Sequence, residues 1–129
     1  MIINSIKRKR LFLLDMDGTL YLGDKLFPDT LPFLRAIRER GADYLFLTNN
    51  SSRGTADYIK KLDKLGIPCQ ADDFFTSTHA AIVYLKKHHP GQLVYALGTQ
   101  SFKRQLREAG IRVTDQVEEG IDCLLMGYD

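Results

Sequence analysis

The sequence predicts an α/β fold built on a parallel sheet, and three observations carry the prediction. Two short apolar runs, RLFLLD at residues 10–15 and DYLFLT at 43–48, each end in a polar residue. That is the pattern of strands covered on both faces in a parallel sheet. An amphipathic stretch follows each run and stops at a glycine, Gly41 and Gly66, as a third does later at Gly110; glycine is the residue that closes a helix in the left-handed conformation. Strands alternating with helices imply right-handed crossovers and a site at the carboxyl ends of the strands.

The elements follow in order. Residues 10–15 form the first strand, and a polar stretch with glycines, DGTLYLGDKLFPD, leads out of it. The next helix is signalled by Asp29 or Thr30 as cap, Pro32 in its first turn, apolar Leu34 and Ile37, and Gly41 as stop. Residues 43–48 are the second strand, ending in the polar cluster Thr48-Asn49-Asn50-Ser51-Ser52. A helix with Tyr58, Ile59, Leu62 and Leu65 follows and ends at Gly66 before Pro68. Residues 73–77 contribute a short third strand, and 78–89 a helix with Ala81, Tyr84 and Leu85 inward, stopped by Pro90-Gly91. The pattern then restarts with a strand at 93–97, a helix at 99–109 carrying Phe102 and Leu106, and a strand at 122–126. Pro90-Gly91 is the expected domain boundary, and no internal repeat is visible.

Composition narrows the function classes. Of the 129 residues, 44% are apolar and 26% charged, the balance of a packed globular protein. The net charge of +2, from 18 basic and 16 acidic residues, gives no reason to expect a nucleic-acid partner. The KRKR run at residues 7–10 reads as a solvated approach to the first strand. No targeting segment or membrane span is read, because the apolar run at 11–14 is too short for either. Cys69 and Cys123 lack both CxxC spacing and a neighbouring histidine, so reduced thiols and a cytoplasmic setting are expected. His79, His88 and His89 make no metal pair, Asp72-Asp73 precedes a strand and reads as solvated or capping, and Tyr58, Phe33 and Phe102 read as core.

The chemistry concentrates in Asp15-Met16-Asp17-Gly18-Thr19. Two carboxylates one residue apart, directly after a buried strand, are costly unless a cation or a reaction uses them. In an extended segment the i, i+2 spacing puts both on one side, and Gly18 lets the chain turn so that they converge on one ligand. A carboxylate attacks phosphorus when Mg²⁺ neutralises the phosphoryl oxygens, and a second carboxylate can then serve as general acid and general base. Asp15 is the candidate nucleophile and Asp17 its acid/base partner. A hydroxyl at Thr48, near the start of a helix, suits an anion.

FLLDMDGTLYLG resembles motif I of the haloacid dehalogenase superfamily, and LFLTNNSSR resembles its motif II. Together they are similar to the subclass IIA, nitrophenylphosphatase-like branch. The resemblance implies a Rossmann-like parallel-sheet core, of which residues 1–90 are the N-terminal part, followed at 91–129 by the start of an inserted α/β cap. It implies phosphomonoester hydrolysis through an aspartyl-phosphate, acting on small phosphorylated metabolites with Mg²⁺ as cofactor. Thr48 then holds a phosphoryl oxygen together with backbone N–H groups of the turn at Met16 and Gly18. Asn49 and Asn50 stand beside phosphate or substrate. The Asp15 carboxylate and the Asp17 main-chain carbonyl are the implied metal ligands, in keeping with magnesium's habit of retaining water. Residues 20–27 correspond to a flap beside the site, although by themselves they read only as a polar loop with Gly23.

The family's later lysine and second acidic motif are not found in the sequence, and the match corresponds to about the first half of a relative. An aspartate facing a phosphate dianion without that lysine meets unrelieved repulsion, so catalysis by this chain alone is expected to be weak or absent. Apolar sheet surface and an unpaired strand edge are expected as well. The competing readings are a non-catalytic phosphate- or metal-binding module and a phosphotransferase or phosphomutase. Pairing into a homo-oligomer is a further expectation from the resemblance.

Overall fold

The computed structural model describes residues 5–127. They form two compact units, the first made of the chain up to Leu47 with Ile59–Phe74, the second of Thr48–Tyr58 with the chain from Phe75 onward.

In the first unit, β1 (Leu11–Asp15) pairs in parallel with β4 (Asp43–Thr48), from Leu11 opposite Asp43 to Asp15 opposite Leu47. The sheet order is β1-β4-β5, and β5 (Phe74–Thr76) begins in this unit at Phe74. Tyr44, Phe46 and Phe74 stack in sequence, with ring centroids 5.1 and 5.3 Å apart, and Phe46 is fully buried. Arg38 lies over the Tyr44 ring at 4.4 Å and bridges Asp43 and Asp73. The helix α1 (Thr30–Glu39) buries Leu34 and Ile37 and ends at Gly41, where φ is +66°.

Several expectations need correction here. β1 is not covered on both faces, since Leu11 and Leu13 are 52% and 59% exposed. Its alternation is that of a half-covered strand. Open apolar surface at β1 was expected from the unmatched later motifs. Phe33 is exposed instead of core, touching Phe12 edge to face at 6.3 Å. Asp29 occupies the cap position without a side-chain cap bond, while the buried Thr30 hydroxyl donates to the Leu20 carbonyl at 2.7 Å. The stretch at 20–27 is not a plain loop. It holds a small hairpin, β2 (Tyr21–Leu22) with β3 (Lys25–Leu26), joined through Gly23 at φ +58°. A positive φ at the first of two connecting residues alone is the type II′ pattern.

The second unit carries its own parallel sheet, order β7-β6-β8, from β6 (Leu93–Leu97), β7 (Arg112–Thr114) and β8 (Ile121–Met126). The helix α3 (Ser77–His88) is capped by Thr76, which accepts from the His79 N–H while His79 Nδ1 accepts from the Thr76 N–H. A second helix, α4 (Gln100–Glu108), is capped by the Thr99 hydroxyl. Leu85, Val94, Ala96, Phe102 and Leu106 form the core of this unit. Tyr84 points outward, contrary to the helical pattern, and its ring lies against His88 at 4.6 Å. The remaining helix, α2 (Thr55–Lys64), has Tyr58 and Leu62 buried. Asp73 caps the Gln70 N–H of a short 3₁₀ turn, the capping role expected of the Asp72-Asp73 pair. Among the described residues no helix is long and apolar enough to cross a membrane. Of the closing segment CLLMGYD, Tyr128 and Asp129 lie outside the described residues, as do residues 1–4 of the amino-terminal segment.

Candidate functional site

Asp15 is the last residue of β1, exposed, with the Thr19 hydroxyl donating to its Oδ2 at 3.4 Å. Met16, next in the chain, is 1% exposed. Asp17 is exposed again, so the period of two places both carboxylates on the outward side of an anchored methionine. The turn wraps back on that anchor, the Met16 carbonyl accepting N–H groups from Thr19, Leu20 and Tyr21 at 3.2, 2.8 and 3.4 Å. Gly18 adopts φ +79°, which only glycine takes without strain, and its N–H donates to the Tyr21 carbonyl at 2.7 Å. Gly18 thus shapes the turn and has its N–H already engaged. The bridge between Asp17 and Tyr21 uses the Met16 carbonyl and the Gly18 N–H, leaving the Asp17 carbonyl out of it. Lys61 packs over the buried Tyr21 ring at 4.2 Å and closes the hairpin base.

The second group of residues lies in the loop of the second unit. Thr48 Oγ1 accepts from the Asn50 N–H at 3.2 Å and lies 3.3 Å from the Tyr58 hydroxyl, which also donates to the Asn50 carbonyl at 3.4 Å. Asn50 Oδ1 accepts from the Ser52 N–H and hydroxyl at 2.8 and 2.5 Å. Its side chain therefore organises the loop. Asn49 is exposed and its carbonyl accepts from the Ser77 hydroxyl at 3.0 Å. Neither Thr48 nor Asn49 caps α2, where Asp57 Oδ2 accepts the Gly54 N–H.

Two residues of this arrangement were not singled out from sequence. Thr19 was quoted as part of DMDGT but given no role, and here its hydroxyl orients Asp15. Tyr58 was read from helical spacing as core, which its 5% exposure fits, but its hydroxyl also holds Thr48. Spacing reports burial and is silent about where a phenol oxygen points.

The donor set suits a weakly held hard cation. Asp15 and Asp17 are exposed oxygen donors, and among the described residues no three His, Cys, Asp or Glu side chains gather as a complete metal cage. A magnesium ion that keeps most of its water and takes one or two carboxylates matches so short a list.

The strand-end carboxylate pair and the βα order place the chain in a class, and the class has a name. The family model of haloacid dehalogenase-like hydrolases matches residues 12–112, and the chain belongs to that family, in its nitrophenylphosphatase-like branch. Among individual relatives, it is 30% identical over 124 residues to an acid sugar phosphatase of Staphylococcus saprophyticus, covering 96% of this chain and 47% of that one. The solved 4-nitrophenylphosphatase of Thermotoga maritima superposes with a TM-score of 0.88 at 34% identity, covering 96% of this chain and 46% of that one. A glycerol phosphate phosphatase of Mycobacterium tuberculosis, solved with magnesium, superposes with a TM-score of 0.79 at 26% identity over 92% of this chain and 36% of that one. The chain spans about half the length of the first two relatives.

Proposed function

We propose that this chain carries the nucleophile half of a magnesium-dependent phosphomonoesterase acting on small phosphorylated metabolites. The observation that carries the reading is the pair Asp15 and Asp17, exposed on either side of buried Met16 at the carboxyl end of β1. Asp15 attacks phosphorus in line, forming the aspartyl-phosphate as the ester oxygen departs. Asp17 in its acid form gives that oxygen a proton. As a carboxylate, Asp17 then takes a proton from the water that attacks the phosphorus of the intermediate, which frees inorganic phosphate and restores Asp15. Thr19 keeps one Asp15 oxygen oriented, so that the other faces the ester. The Thr48 hydroxyl and the exposed Asn49 amide are assigned to the phosphoryl oxygens, with the Met16 N–H; Gly18 serves through the shape of the turn, and Asn50 through the order of the loop. In the register of the sheet Asp15 stands opposite Leu47, the residue before Thr48. The Asp15 carboxylate and the Asp17 carbonyl would hold magnesium, which would neutralise phosphoryl charge there.

A division into core (1–90) and the opening of a cap (91–129) belongs to the same reading, as do a cytoplasmic setting and pairing between copies. The relatives named for sugar and glycerol phosphates favour a small phosphorylated metabolite as substrate. The 129-residue chain by itself is proposed to turn over slowly, for want of a lysine balancing the phosphate charge. The test is release of phosphate from p-nitrophenyl phosphate and metabolite esters with and without Mg²⁺, for the complete protein and its Asp15→Asn variant. Loss of turnover in the variant is the expected result, and retained turnover overturns the assignment.

A further inference from the structure

The amino-terminal end of the first sheet carries a feature that phosphoryl transfer does not use. Lys7, Arg8, Lys9 and Arg10 lead into β1, and Arg40 stands just before β4; together these five cations line one open cavity of about 550 Å³. Among the described residues no carboxylate lines it. The nearby Arg38 is occupied by Asp43 and Asp73, whereas Arg10 donates to the Gly41 carbonyl at 3.4 Å. A cation at Arg40 is accounted for by the carboxyl end of α1. The four leading into β1 have no such account, and five like charges around one cavity repel until an anion relieves them.

Beside this cavity lies an apolar cleft of about 230 Å³, walled by Ile6, Phe12, Phe33 and Ile37. Lys7, Lys9 and Arg40 line both spaces, so the cleft and the cationic cavity are continuous. Phe33 is 43% exposed here and Ile6 51%, which leaves an open aromatic edge. Multiple cations adjoining a small apolar slot with an aromatic wall match an anion that also carries a flat apolar group.

We propose that this face is a second binding site, for an organic polyphosphate with a flat apolar body, of which a nucleoside triphosphate is the representative. The base occupies the cleft against Phe33 and Phe12, and the phosphates lie on Lys7, Lys9 and Arg40. The site is distinct from the one at Asp15, because Arg10 precedes β1 and Asp15 ends it, about 16 Å further along an extended strand.

The probes are ATP, inorganic tripolyphosphate and adenosine, titrated by calorimetry into the 129-residue protein in magnesium-free buffer. ATP is expected to bind at one site at least tenfold more tightly than either of the other two. Lys9→Glu and Arg40→Glu, both on exposed positions, should each weaken ATP by about tenfold, and added salt should weaken it further. Phe33→Ser should weaken ATP and leave tripolyphosphate unchanged. Asp15→Asn should bind ATP as the parent chain does. Absence of ATP binding, equal affinity for ATP and tripolyphosphate, indifference to Lys9→Glu, or an altered ATP affinity in Asp15→Asn, tighter or weaker, each overturns the proposal; the last would place the ligand at the nucleophile.

Discussion

Met16→Ala tests whether the two carboxylates depend on the residue between them. Met16 is 1% exposed, and its carbonyl gathers three N–H groups of the following turn. Removing a fully buried methionine side chain forfeits about 1.5–3 kcal/mol of transfer energy, and the cavity left behind brings the loss to about 3 kcal/mol. With a urea slope of about 1.5 kcal/mol/M for a chain of this size, the unfolding midpoint should fall by about 2 M. Met16→Leu conserves volume and should cost less than about 1.5 kcal/mol. The assay is urea unfolding followed by far-ultraviolet circular dichroism on the three proteins at one concentration. An alanine midpoint within about 0.3 M of the parent would refute the anchoring role, as would equal losses in the leucine and alanine variants.

Other perturbations test the loop and the second unit. Thr99 accepts the Phe102 N–H and donates to the Ser52 carbonyl, so Thr99→Val should cost about 1–2 kcal/mol while Thr99→Ser costs little, read from thermal melts; equal melts for both variants would remove the cap. Tyr58→Phe should lose about 1 kcal/mol of stability and lower kcat more than it raises KM in the complete protein, because Thr48 loses the hydroxyl 3.3 Å from its own; unchanged kcat would make Tyr58 purely core. Asp115 accepts hydrogen bonds from Lys103 at 3.1 Å and from Gln116, and these hold its carboxyl below the usual carboxylate range. A lowered folded-state value means that this contribution is present above the unfolded value of about 3.9 and is lost as pH falls through the folded one. Melting temperatures should therefore fall less steeply below about pH 4 in Asp115→Asn than in the parent, and parallel curves would show that Lys103 does not act on Asp115.

Much of this fold was legible because its signals are long. Six-residue and five-residue apolar runs with polar ends marked β4 and β6, and glycines marked the ends of α1, α2 and α4. What escaped was short. The β2–β3 hairpin has two residues per strand, below the length at which alternation stands out from a loop, and β7 holds a single apolar residue, Val113, between Arg112 and Thr114. Apolar sequence also states what would gain from burial and not whether a cover is present, so the open faces of β1 and β8 could not be read from Leu11, Leu13, Leu124 and Met126 individually. At the candidate site, Asp15 and Asp17 were legible from their place after a strand. That the Gly18 N–H is spent on Tyr21 was not, because it depends on how the chain returns after the turn.

The proposed chemistry asks for two kinds of support, and the chain provides them by different means. Asp15, the proposed nucleophile, sits on a ladder of five parallel pairs, with Met16 and Tyr21 buried on the chain just beyond it. That support is local, all of it within a few residues of Asp15 or on the neighbouring strand. The loop carrying Thr48, Asn49 and Asn50 is held otherwise. Ser77, in the first turn of α3, donates to the Asn49 carbonyl from 28 residues away, and Thr99, the cap of α4, donates to the Ser52 carbonyl from 47 residues away. Two hydroxyls at helix starts of the second unit thus fix a loop whose own sequence is polar and short of apolar anchors. Substitutions near Ser77 or Thr99 consequently reach the residues proposed to face phosphate without touching them. Changes on the open faces of β1 or β8 have no such path and should be felt as stability or association only.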